Sequence, residues 1–148
     1  MITILVGIAI PTLSGSTARN SVWTASEMIG SQIRQARLKA ISRNTRFRVR
    51  FDCPAVGQFR VLRVTGNAAI DNAAGRCSST QQYDSGIFQM PQSVSYGDDP
   101  PLLEVNGRGT FTSDNGIPSA ITVTYTGNGT SARTLTMSAT GQISFDVY

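Results

Sequence analysis

The residues able to do chemistry in this chain are few and mostly of one kind. Its 148 residues include two cysteines, nine acids, thirteen bases of which twelve are arginine, and no histidine. Without histidine, the Ser–His–Asp and Cys–His arrangements of nucleophilic catalysis cannot be built. Asp98-Asp99 stands directly before Pro100-Pro101, which is the composition of a turn rather than of an acid–base or metal-binding pair. Gly107-Arg108-Gly109 lacks the following helix that a phosphate-binding loop requires. No catalytic constellation is found, no cofactor or metal is expected, and the chain is read as a non-enzyme.

Cys53 and Cys77 lie 24 residues apart. Two cysteines without histidine cannot complete the four-ligand sphere of a structural zinc site. Two readings remain, a disulfide or a pair of free thiols. The apolar N-terminus suggests export, and exported proteins retain disulfides. A bridge closing this loop would contribute about 3 kcal/mol on the chain-entropy account.

The net charge of +4 is unevenly spread. From Arg19 to Arg63 there are ten bases and two acids, a balance of +8; from Val64 to Tyr148 there are three bases and seven acids, a balance of −4. Guanidinium suits planar pairing with carboxylate or phosphate. Arg46, Arg48 and Arg50 alternate along one stretch, with Arg60 and Arg63 on the next. Such a row could hold nucleic-acid phosphates or a partner, with a log–log salt slope of about −3 to −5 for three to five contacts. It could equally pair with the acids of the C-terminal half.

Two kinds of element must position these groups. Met1 to Ile10 is apolar, but ten residues rise only about 15 Å, and a membrane span needs about 20 residues. The segment has neither the basic start nor the small-residue cleavage site of a signal peptide. It reads as a buried helix or as the later half of a membrane helix whose first half lies upstream. Pro11 would kink a helix there or mark its start. Beyond it the period is helical. Val22, Ile29, Ile33, Ala36 and Ala40 fall on one narrow stripe at 100° per residue, a stripe that should pack on the rest of the chain. Trp23 and Ile41 lie about 100° away, either as a shoulder of that contact or as a helix–helix contact with another copy.

After Asn44-Thr45 the pattern changes to a period of two. Phe47, Val49 and Phe51 share one strand face, and Arg46, Arg48 and Arg50 the other. Phe59 to Val64 reads as a second strand, joined to the first through Cys53-Pro54-Ala55-Val56-Gly57 as a hairpin. Gly66 to Gly86 is loop-like. Short strands are expected at Ile87–Met90 and Val94–Tyr96. Ala120–Thr126, Arg133–Ala139 and Gln142–Val147 form an antiparallel meander. The expected fold is α+β: a long N-terminal α-helix over residues 1–43, packed on an antiparallel β-sheet head over residues 44–148. Within the helix, residues 1–11 form a membrane or filament part and residues 12–43 an amphipathic part.

This layout resembles the type IV pilin-like proteins, specifically the GspH/FimT group of minor pseudopilins and minor pilins. Leu5-Val6-Gly7-Ile8-Ala9-Ile10-Pro11 is similar to the later half of the pilin membrane helix. Gln35 to Thr45 resembles the group's helix end, where an ARSEAIxRN-like run leads into the first strand. Arg133 to Gly141 resembles its C-terminal strand and closing turn. The family's leader, processing glycine and Phe-Thr-Leu-Ile-Glu-like start have no counterpart here, so about ten mature residues and the leader are expected upstream. DNA-binding members of the FimT branch carry a Gly-Arg-x-Arg-like run near the C-terminus. The matching position reads Gly141-Gln142-Ile143-Ser144, without either arginine.

The resemblance implies a minor pilin or pseudopilin, a structural subunit of a type II secretion pseudopilus or type IV pilus. Its partners would be other pilin-like subunits, met through the N-terminal helix. It would sit in the bacterial inner membrane with its head in the periplasm before entering the filament. The alternative is a DNA-binding minor pilin that uses the row at Arg46, Arg48 and Arg50. A small-molecule substrate is not expected. A third reading is an exported β protein with a simple anchor, unrelated to pili.

Overall fold

The structure, a computed structural model, describes residues 6–97, 99–127 and 131–147, with side chains over 16–146 of that span. Residues 1–5, Asp98, 128–130 and Tyr148 lie outside it, and with them part of the expected apolar start and of the turn expected between the last strands. Helix α1 spans Val6–Arg43, so it runs through Pro11 rather than starting there. Its end is a Schellman motif. Asn44 takes the left-handed conformation (φ 46°), the Thr45 N–H reaches the Ala40 carbonyl at 3.1 Å, and the Asn44 N–H reaches Ile41 at 3.3 Å. Asparagine tolerates that conformation, so the chain turns sharply into the head.

The head forms two antiparallel sheets. The first contains β1 (Phe47–Phe51), β2 (Gln58–Arg63), β3 (Phe88–Gln89), β5 (Leu103–Val105) and β6 (Phe111–Ser113), in the order β3-β2-β1-β5-β6. The second contains β4 (Val94–Tyr96), β7 (Ser119–Tyr125), β8 (Ala132–Met137) and β9 (Ile143–Val147), in the order β4-β7-β8-β9. The expected hairpin and the C-terminal meander are both present. The sequence reading assigns no strand at Leu103. The structure places β5 there, with Val49 opposite Leu103 and Arg48 opposite Glu104. Three residues are too few to display a period, so the free edge of β1 decides this strand. Inside the expected loop lie a short helix α2, Ala68–Asp71, capped by the Asn67 side chain, and a 3-10 turn, Ala74–Cys77.

The core lies between α1 and the inner faces of both sheets. Val22, Ile29, Ile33, Ala36 and Ala40 are all buried, joined by Ala18 and Ala25. They meet Phe47, Leu103, Phe111, Ile121 and Leu135 from the strands. Burying a side chain the size of Ile29 or Ile33 contributes roughly 1.5–3 kcal/mol. The helix therefore completes the head's core. The two sheets meet where Tyr96 of β4 packs edge-on against Phe51 of β1, with ring centroids 5.1 Å apart.

Candidate functional site

The arginine-bearing face of β1 and β2 is not open to solvent as the alternation alone suggests, and this corrects the reading of the row as a free phosphate-binding surface. The segment from Thr65 to Ser85 folds over it. Arg60 is 2% exposed. Its guanidinium donates to the backbone carbonyls of Cys77, Ser79 and Ser85 and to the Thr80 hydroxyl. Arg48 pairs with Glu104 at 3.1 Å and also donates to the Asn72 side chain at 2.9 Å. Arg46 shares the same carboxylate at 3.1 Å with its side chain 54% exposed. Arg50 and Arg63 are half-buried. Burial, then repulsion from Arg48 and Arg76, pulls the Arg50 pKa below its usual value. The Arg63 guanidinium lies 5.6 Å from the Tyr83 ring, whose nearer neighbour is Arg43 at 3.9 Å. Arg48 and Arg60 thus tie a strap to a sheet, Arg63 meets the strap at Tyr83, and Arg46 joins β1 to β5 through Glu104. The charge surplus of the first half meets acids of the second, as the competing reading proposes.

Two further residues hold the strap. Arg76 and Asp84 form a bidentate pair at 2.6 and 2.8 Å, with both side chains buried. Asp84 also accepts the N–H groups of Gln81 and Arg63, each at 2.8 Å. Ser85 continues the edge of β2 beyond the reach of β3: its hydroxyl accepts the Val61 N–H at 2.8 Å, and its own N–H donates to the Val61 carbonyl at 2.8 Å. Sequence reasoning missed Arg76 and Asp84. An isolated base and an isolated acid in a polar loop carry no periodic signal.

Burial works to raise the Asp84 pKa, but hydrogen bonds from Arg76 and from the two N–H groups outweigh it and hold the carboxyl below the usual aspartate range. Asp71 behaves alike. Burial opposes the charge, and hydrogen bonds from Thr65 and Gly66 prevail. Both groups take up protons on unfolding, so their stabilisation is full above the unfolded value of about 4 and is lost as pH falls through the lower folded values. Urea midpoints of the head should therefore be flat between about pH 5 and 7 and decline below about pH 4. A midpoint constant down to pH 2 would show that these carboxyls are not held.

The Cys53–Cys77 disulfide fastens the strap to the end of β1, with an S–S distance of 2.01 Å and Cα atoms 5.2 Å apart. Replacing both cysteines by alanine should lower the unfolding free energy by about 3 kcal/mol. Urea unfolding of the oxidised wild type against the variant measures it. A difference under about 1 kcal/mol would mean that the polar anchors alone hold the strap.

A second arrangement binds the helix to the other sheet. Arg133 of β8 lies between the rings of Trp23 (3.7 Å) and Phe145 (4.1 Å). It donates to Ser26 Oγ at 2.7 Å and to Glu27 at 3.1 Å. Cation–π contact with two rings and two hydrogen bonds fix where the helix crosses β8. Trp23 is thus a shoulder of the helix–head contact, though 47% of it remains exposed. These arrangements order a surface. Among the described residues, no three histidine, cysteine or carboxylate groups converge as a metal would need. No helix there is long and apolar enough to cross a membrane.

The comparisons with known proteins agree with this architecture. A search of curated sequences gives no significant match. Two crystal forms of the type IV minor pilin FimU of Pseudomonas aeruginosa superpose with TM-scores of 0.56 and 0.53, each at 15% identity. The matched region covers 86% and 84% of this chain and 89% and 91% of FimU. At that identity the likeness is one of fold. The family described as type II transport protein GspH matches residues 25–141, which runs from the helix stripe through the strap to the Gly141 turn. The chain belongs to the GspH family, the group of minor pseudopilins and minor pilins.

Proposed function

We propose that the chain works as a minor pilin or pseudopilin, a structural subunit of a type II secretion pseudopilus or a type IV pilus. Its helix packs among the helices of other pilin-like subunits, and its head projects from the filament. Before assembly the apolar start holds it in the inner membrane with the head in the periplasm. The observation that carries this reading is the division of one helix between two tasks. From Ala18 to Ala40 a single stripe completes the head. The opposite side, with Arg34, Gln35 and Leu38 exposed, is left for neighbours. A rigid fold fastened by a disulfide and by buried guanidinium pairs suits a part that transmits position rather than chemistry. The alternative of DNA binding through Arg46, Arg48 and Arg50 loses its geometric basis, because Arg46 and Arg48 hold Glu104 and Arg60 lies inside.

The test is deletion of the gene, with the sheared filament fraction probed for the chain in the parent. The chain should appear in that fraction, and its loss should reduce filament number or secretion. Normal filaments and secretion in the deletion strain, with the chain absent from the sheared fraction, would overturn the reading.

A further inference from the structure

One side of α1 carries a surface that the head does not use. The shoulder next to the buried stripe is met by three parts of the head, each at a glycine. A Cβ at Gly30 would lie 3.2 Å from the Phe145 ring, at Gly141 3.1 Å from Arg37 Cδ, and at Gly109 2.8 Å from Ile41 Cδ1. Gly109 has φ +78°, which other residues rarely adopt. Its carbonyl accepts a hydrogen bond from Arg37 Nε at 3.1 Å. The β5–β6 turn is thereby clamped to the helix end, and exposed Arg108 is the residue next to the clamped Gly109.

Arg34 and Leu38 lie just outside that line, and Ile41, which Gly109 meets on one side, stands at its edge. Their spacing of i, i+4 and i+7 makes them neighbours on the helix surface. Leu38 is 66% exposed and Ile41 47%. The four ion pairs among the described residues use Arg46, Arg48, Arg76 and Arg133, so no carboxylate pairs with Arg34, Arg37 or Arg108. An exposed apolar pair therefore sits among guanidiniums that form no ion pair among the described residues.

We propose that this patch docks a neighbouring pilin-like subunit, through a surface that sets carboxylates around an apolar side chain. The proposal rests on the filament reading above. Charge complementarity selects an acidic partner and steers its approach. The two apolar side chains at the centre favour protein over nucleic acid, whose binding is dominated by phosphate contacts. A second copy of this chain offers no match. Among the described residues Asp71 and Asp84 have buried side chains, Glu27 and Glu104 are already paired, and Asp52, Asp99, Asp114 and Asp146 remain, scattered along the chain.

The experiment places a photo-cross-linking residue at Leu38 of the full-length protein in the cells that make it. A second probe at exposed Asn20 reports helix contacts away from the patch. The Leu38 probe should give an adduct with another pilin-like subunit, mapped by mass spectrometry to a segment bearing carboxylates. Arg34→Glu with Arg108→Glu should lower its yield by about tenfold and leave the Asn20 adduct unchanged. An adduct at Leu38 with nucleic acid, lipid or a second copy, or a yield indifferent to charge reversal, would overturn the proposal. Pilin-like adducts from Asn20 but none from Leu38 would remove this docking surface alone. Failure at both positions would remove the filament reading as well.

Discussion

Asp84→Ala is expected to lower the unfolding free energy of the head by about 3–5 kcal/mol, the range for breaking a buried ion pair from one side. The cost comes from what is left behind. Arg76 would remain buried with its charge uncompensated, keeping only the Arg63 carbonyl as partner. The N–H groups of Gln81 and Arg63 would lose their acceptor at the same time. Arg76→Met alone should be costly for the converse reason, and the double variant should cost less than the sum of the singles, because neither charge is then orphaned. Urea unfolding of the four proteins provides the cycle. A single-variant cost under about 1 kcal/mol would place the pair in the class of surface salt bridges and refute its role as the strap's anchor.

Ile33→Ala is expected to cost about 2–5 kcal/mol, the range for truncating a buried isoleucine. Ile33 is fully buried at the middle of the stripe that α1 lends to the head. The cavity would open between helix and sheets, where both sides are held by other contacts and cannot easily close. Leu38→Ala, five residues on and largely exposed, should change stability by less than about 0.5 kcal/mol. Chemical denaturation of the two variants together separates the inner and outer sides of the helix. Equal costs would mean that α1 does not complete the core. Loss of stability without change at the Leu38 surface would also keep core and docking effects distinct in any assembly assay.

The amphipathic half of the helix was legible in the residue pattern because its period is long and its apolar positions repeat. All five stripe residues read from the pattern are buried. The β1–β2 hairpin was legible for the same reason, with five registered pairs from Phe47 opposite Arg63 to Phe51 opposite Phe59. The fate of the arginines was not. Alternation assigns Arg46, Arg48 and Arg50 to one face, where the register of β2 sets Arg60 opposite Arg50. It says nothing about what covers that face, because the covering segment is aperiodic and its contacts reach 17 to 25 residues along the chain.

What the sequence determined by itself is local: the long helix and its inner stripe, the alternating strands, the absence of histidine chemistry, and a likeness in order and spacing to one family. Each rests on a period or a composition that neighbouring residues carry. Which of the two cysteine readings holds, the burial of Arg60, the Arg76–Asp84 pair, strand β5 and the seat of Arg133 between Trp23 and Phe145 were decided only by tertiary structure. Each of these depends on groups brought together from distant parts of the chain. A guanidinium can face water or lie buried among carbonyls with the same local sequence, and only the packed fold sets which environment it meets.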